Sequence, residues 1–247
     1  MPPLERNDPS NLPYGDDRLE QTISLHTDHV ALEGTLGVPN GAAGIVLFAH
    51  GSGSSRFSPR NRFVARVLRD AGLGTLLLDL LSHAEDTVDE VTRQYRFDIQ
   101  MLADRLEVAI DWLANQPDME NLPVGLFGAS TGGGAALVAA AERPTRIGAV
   151  VSRGGRPDLA GDALPLVDAP TLLIVGERDE AVIDLNERAR SHMLRAHVEI
   201  QIVSRATHLF EEPGTLEEAA ALARDWFVRY LSEQTRENTH TSGTRRS

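Results

Sequence analysis

A serine, an aspartate and a histidine follow three apolar runs in that order. Ser130 lies in Gly128-Ala-Ser-Thr-Gly132 after Leu122–Phe127, Asp179 in Gly176-Glu-Arg-Asp179 after Thr171–Val175, and His208 in Ser204-Arg-Ala-Thr-His208 after Val198–Val203. A serine hydroxyl is a poor nucleophile near neutral pH, so an imidazole must take its proton as it attacks. A carboxylate must then hold the imidazole in the right tautomer and stabilise the imidazolium that forms. The Gly-x-Ser-x-Gly string sits between a short apolar run and the Ala-rich stretch Gly133–Glu142. A strand reversing tightly into a helix there would strain the backbone at Ser130 and expose its oxygen above a sheet. The helix N-terminus behind it favours negative charge.

Each role has competitors. Of the eight histidines, His208 alone stands directly between the last strand and the last helix. His50 ends a strand but is flanked by glycines that suit loop shaping, whereas His26, His29, His192 and His197 read as surface or edge residues and His240 lies in the tail. Glu177 and Asp184 share the neighbourhood of Asp179, and a carboxylate there could simply cap the next helix. Acyl chemistry also needs two backbone donors for the tetrahedral oxyanion. The expected pair is the amide of Thr131 and that of Ser52, in the loop His50-Gly-Ser-Gly-Ser-Ser55. That loop is not a phosphate cradle, because it lacks a Gly-Lys-Ser/Thr ending and the chain has no lysine at all. Arg153 and Arg156, in Ser152-Arg-Gly-Gly-Arg156, are candidates to grip a substrate carboxylate, or equally to pair with the chain's own acids. The acidic stretch Ser82–Glu90 has no metal-specific spacing and reads as a solvated loop. No metal or organic cofactor is expected.

These residues need a scaffold. Residues 21–25 and 30–37 read as a hairpin, followed by strands at 44–49, 75–80, 124–127, 147–151, 171–175 and 198–203. Helices are expected at 61–71, 97–115, 133–142, 181–194 and 215–232. Strands alternating with helices predict an α/β fold with a mostly parallel, doubly wound sheet of about eight strands, whose ligands bind beyond the strands' carboxyl ends. Residues 1–20 and 233–247 are polar and aperiodic and read as tails, the second one disordered, flanking one domain over 21–232. The chain has no cysteine and a net charge of −12, which excludes thiolate chemistry and argues against nucleic acid. No membrane-length apolar run or signal peptide is visible, so a cytoplasmic protein is expected. A homodimer is suggested only by the general frequency of such dimers.

Together the opening hairpin, the His50-Gly51 loop, the Gly128-Ala-Ser-Thr-Gly-Gly133 turn, Gly176-x-x-Asp179 and the late His208 make residues 21–232 resemble the α/β-hydrolase superfamily. The double glycine after Thr131 is most similar to its dienelactone hydrolase-like branch. The resemblance implies a cofactor-free Ser-His-Asp hydrolase of esters or related acyl compounds. Dienelactone hydrolases proper carry cysteine at the nucleophile, so Ser130 points to carboxylesterase-type chemistry on a small-molecule ester. Only 19 residues, Ser152–Pro170, fill the position where many relatives insert a cap, so no substantial cap domain is expected and the site should be open. Amides, thioesters and lactones are alternative substrates, and a non-catalytic binding module on the same fold is the alternative of another class.

Overall fold

The computed structural model describes residues 20–27 and 30–243, so the expected N-terminal tail, apart from Glu20, lies outside the described residues. Its eight strands are β1 (Glu20–His26), β2 (Ala31–Gly37), β3 (Ile45–Ala49), β4 (Gly74–Leu78), β5 (Val124–Ala129), β6 (Ile147–Arg153), β7 (Thr171–Gly176) and β8 (Val198–Val203). They form one sheet in the order β1-β2-β4-β3-β5-β6-β7-β8. β2 pairs antiparallel with both β1 and β4, and every other pairing is parallel. The chain steps from β3 outward to β4 and then returns to the other side of β3 as β5. That reversal opens a crevice at the carboxyl ends of β3 and β5, where this class of sheet binds ligands.

Helices cover both faces. α1 (Pro59–Asp70) and α6 (Thr215–Gly243) enclose a core around Phe48, Phe127 and Phe227. α3 (Ile99–Ala114), α4 (Thr131–Glu142) and α5 (Glu180–His192) enclose a second around Leu47, Leu126 and Leu137. Residues 131–140 of α4 are all buried, which explains why that helix is glycine and alanine rather than amphipathic.

Three elements depart from the sequence reading. The acidic stretch read as a solvated loop is a helix, α2 (His83–Thr92). The Ser82 hydroxyl accepts from the Glu85 N–H and the Glu85 carboxylate accepts from the Ser82 N–H, a closed capping box that starts it. Between β6 and β7 the chain forms a 3-10 stretch over Pro157–Leu166 rather than a plain connection. α6 runs on to Gly243 instead of stopping at residue 232, through residues expected to be a tail. Nothing between Glu233 and Ser242 is glycine or proline, and each added helical residue gains a hydrogen bond once the helix exists.

Where α3 meets α4, the carboxyls of Glu107 and Glu142 are neighbours, and Arg143 lies 2.8 Å from Glu107. Burial and the neighbouring carboxylates push Glu107 up to about 7, while Glu142 is held low chiefly by its interaction with Glu107. An acid whose pKa rises on folding stabilises the fold while protonated. That stabilisation is complete below the unfolded value and lost as pH rises through about 7. Glu107→Gln places there, at every pH, a neutral group of the protonated acid's size. It is expected to stabilise the protein at pH 8 by about 1 kcal/mol, discounted for water and Arg143. Thermal denaturation should show that gain shrinking to nothing by about pH 5.

Candidate active site

β5 ends at Ala129 and α4 begins at Thr131, leaving Ser130 alone to make the reversal, at φ 52° and ψ −122°. Few non-glycine residues tolerate a positive φ, so the surroundings must hold it. The Ser130 N–H donates to the Arg153 carbonyl at 3.3 Å, and the Ser130 carbonyl accepts from Gly133 and Arg156, each at 3.0 Å. Gly132 is required by close approach, because a Cβ there would overlap the carbonyl oxygens of Ala49 and His50.

From that position the Ser130 hydroxyl lies 3.3 Å from His208 Nε2, and His208 Nδ1 lies 2.6 Å from Asp179 Oδ2. Asp179 is the N-cap residue of α5, yet its side chain makes no capping hydrogen bond, so its carboxylate is free for the histidine. Its rival Glu177 is used elsewhere. It accepts from the Ser204 hydroxyl at 3.0 Å and the Arg205 N–H at 2.6 Å, which fixes the loop carrying His208. Glu212 accepts from the Thr207 N–H at 3.0 Å on the other side of His208. With Asp179 accepting from Nδ1–H, Nε2 is left bare toward Ser130 and can take its proton.

The loop after β3 lies beside the serine, with a Cβ on Gly51 falling 3.0 Å from the Ser130 Cβ. His50, the buried residue that opens it, is a brace. Its Nδ1 donates to the Gly51 carbonyl at 2.9 Å, and its Nε2 accepts from the Leu80 N–H at 2.9 Å. Burial lowers its pKa and keeps the ring neutral, as that arrangement requires. Arg56 in the same loop is ion-paired to Asp79 through its side chain and donates its N–H to the same carboxylate at 2.6 Å.

The two expected oxyanion donors are brought together, with a detail invisible in the sequence. The Ser52 N–H donates to the Thr131 hydroxyl at 3.0 Å, and the two hydroxyls also lie 3.0 Å apart. The Thr131 amide, first in α4, has no intrahelical acceptor. A shallow hollow adjoins this pair, walled by the Gly51–Ser54 loop, Leu80, Leu81, Asp86, Arg96 and Leu102. α2 supplies Asp86 and, through the buried Asp89, holds Arg96. The Asp89 carboxylate accepts from Arg96 Nε at 2.5 Å and from the Tyr95 and Arg96 N–H groups. The sequence reading missed this wall, although Ser82-x-x-Glu85 announces its helix.

The arginines expected to bind a substrate carboxylate do not present open forks. Arg156 spends Nε and Nη2 on Asp158 at 2.8 and 2.7 Å. Arg153 is 6% exposed, packed against the Phe127 and Phe210 rings, and its Nε and Nη1 are buried without a hydrogen-bond partner. Burial, with repulsion from Arg60, pulls its pKa down to about 10. Gly154, between them, has φ +51°, and a Cβ there would come within 3.0 Å of the His208 carbonyl. The segment therefore packs behind the histidine. Among the described residues no His, Asp, Glu and Cys group has the arrangement of a metal site, and no helix is long and apolar enough to cross a membrane.

Comparison with known proteins fits this geometry. The sequence profile of the dienelactone hydrolase family matches residues 32–233. The crystal structure of a dienelactone hydrolase from Anabaena variabilis is 61% identical, covers 85% of this chain and 97% of its own, and superposes with a TM-score of 0.83. An esterase from Pyrococcus furiosus, at 18% identity, shares the fold over 86% of this chain and 91% of its own, with a TM-score of 0.67. Two proteins of Mycobacterium tuberculosis, strains CDC 1551 and H37Rv, are 56% identical over 212 residues, or 86% of this chain. They are provisionally named phosphoribosyl transferases, and the chain spans about half their length, 47%.

Proposed function

The chain belongs to the dienelactone hydrolase family, and from that premise we propose that it is a serine hydrolase cleaving small acyl esters through an acyl-enzyme on Ser130. The observation carrying this reading is the unbroken hydrogen-bonded line from Ser130 through His208 to Asp179. In the proposed reaction His208 Nε2 takes the Ser130 proton as the oxygen attacks the ester carbonyl carbon. The carbonyl electron pair moves onto oxygen, where the Ser52 and Thr131 amides receive it. Collapse expels the alkoxide, which leaves as the alcohol with the proton from His208. Water, deprotonated by His208, then attacks the acyl-enzyme and frees the acid.

Substrate size is read from the walls. The β6–β7 connection holds only the 3-10 stretch, with no domain to cover the site. The hollow beside Ser52 is shallow, and its apolar lining is confined to Leu80, Leu81 and Leu102, which suits a short acyl chain. Hydrolysis of p-nitrophenyl esters from acetate to laurate is therefore expected to peak at two to four acyl carbons, by roughly 10-fold over decanoate. Activity highest on long chains would overturn the small-substrate reading. A lactone is an internal ester opened by the same attack, and the Anabaena relative's name favours that second reading. Ring opening of a small lactone at a kcat/KM above that for every linear ester would decide for it.

A further inference from the structure

We propose that the oxyanion hole has a third donor, the Ser52 side-chain hydroxyl, and that the Thr131 hydroxyl fills the hole at rest. The inference rests on the serine hydrolase reading above and concerns the same site.

Thr131 Oγ1 sits 3.0 Å from the Ser52 nitrogen, whose N–H donates to it, and 3.0 Å from Ser52 Oγ. It is also tethered beside its own amide, the other expected donor. An oxygen atom thus already occupies the point at which the Ser52 amide is aimed, on the residue that follows Ser130. Ser52 meets that oxygen with two groups, its amide and its hydroxyl, each at 3.0 Å, within the range at which a donor serves an oxyanion. Every donor reaching it becomes a donor to the oxyanion once Thr131 turns away. The Ser52 hydroxyl is one of them. At rest its alternative acceptor is the Arg96 carbonyl, at a long 3.4 Å. Redirecting its proton requires only rotation about Cβ–Oγ. Asp89 fixes the Arg96 backbone through its N–H at 3.1 Å, and that carbonyl keeps Ser52 Oγ near the hole.

The covalent step is unchanged in its balance. Ser130 Oγ bonds to the carbonyl carbon, its proton goes to His208 Nε2, and the carbonyl π pair becomes the oxyanion. What changes is the number of donors meeting it, three instead of two. The resting contact also has a cost, since binding must displace Thr131 Oγ1 from the Ser52 amide.

Two variants separate this from a merely structural contact. Ser52→Ala removes the hydroxyl and keeps the amide. On p-nitrophenyl acetate its kcat is expected to fall about 10- to 100-fold, below the loss from deleting a donor in a two-donor hole. KM should stay within about twofold, because the donor acts on charge that develops only in the transition state. The pH–rate profile should keep its shape, and Ser52→Thr should restore most of the rate. Thr131→Ala removes the resting occupant and should raise kcat/KM about two- to fivefold. If the hydroxyl pair only braces the loop, both alanine variants break the same contact and fall together, which overturns the proposal. Ser52→Ala with kcat within twofold of wild type overturns it as well. Those outcomes leave wild-type turnover intact. Wild type inert toward every ester, and unlabelled at Ser130 by a fluorophosphonate, instead sinks the hydrolase reading and this inference with it.

Discussion

Ser130→Ala is expected to remove ester hydrolysis by about 10³- to 10⁶-fold while leaving the protein folded. The loss follows from the covalent role proposed for this oxygen, which leaves His208 nothing to activate but water. The residual rate would come from the oxyanion donors and binding, which in serine proteases retain about 10³–10⁴ over water when the nucleophile is gone. Folding should survive because the side chain is not what holds the turn. The backbone at φ 52° is fixed by hydrogen bonds of the Ser130 N–H and carbonyl to Arg153, Gly133 and Arg156, all of which alanine retains. Alanine at that φ is no more strained than serine. Activity on p-nitrophenyl acetate and fluorophosphonate labelling should therefore disappear together, with circular dichroism and Tm little changed. Retention of more than about a tenth of the wild-type rate would exclude Ser130 as the nucleophile.

The outline of this site was legible in the sequence because its residues follow strand ends. A parallel sheet puts the loops after β3, β5, β7 and β8 on one edge, so Ser52, Ser130, Asp179 and His208 could be gathered without knowing the twist or the helix packing. Glycine patterning located the turn because Gly128 and Gly132 answer to backbone crowding, a local demand. Charged segments were harder to read. Acidic composition suggested a solvated loop at Ser82–Glu90, yet the capping box and the buried Asp89 make it a helix that walls the hollow. Ser82-x-x-Glu85 was the signal available there, outweighed by charge. Arg153 and Arg156 share a motif but meet different fates, one sealed behind aromatic rings and one paired with Asp158. That divergence is decided by tertiary contacts, which spacing along the chain does not encode. The Ser52–Thr131 contact lies further still from the sequence, since it depends on one side chain's rotamer.

Asp179→Asn should lower kcat by about 10³- to 10⁴-fold, nearly as much as losing the nucleophile, although it changes a single atom pair. The argument turns on tautomers. Asp179 Oδ2, 2.6 Å from His208 Nδ1, accepts a proton from it and so leaves Nε2 unprotonated toward Ser130. An asparagine can turn its NH₂ toward Nδ1, which then must accept. The proton moves to Nε2, the nitrogen that has to be bare to act as base. The carboxylate's stabilisation of the imidazolium is lost at the same time. Geometry should be little disturbed, because Asp179 makes no capping hydrogen bond to α5 and its backbone N–H still donates to the Gly176 carbonyl at 3.0 Å. The variant should therefore fold with wild-type Tm and bind substrate with similar KM, but be slow in fluorophosphonate labelling as well as in turnover. Raising the pH should recover part of the rate through hydroxide attack on the bound ester. Glu177→Gln supplies the contrast, since that carboxylate accepts from Ser204 and Arg205 and lies outside the line to Ser130. Its loss should be less than about 10-fold and arise from loosening the His208 loop. If the two variants lose activity equally, the acid is not Asp179 but a property of the whole loop.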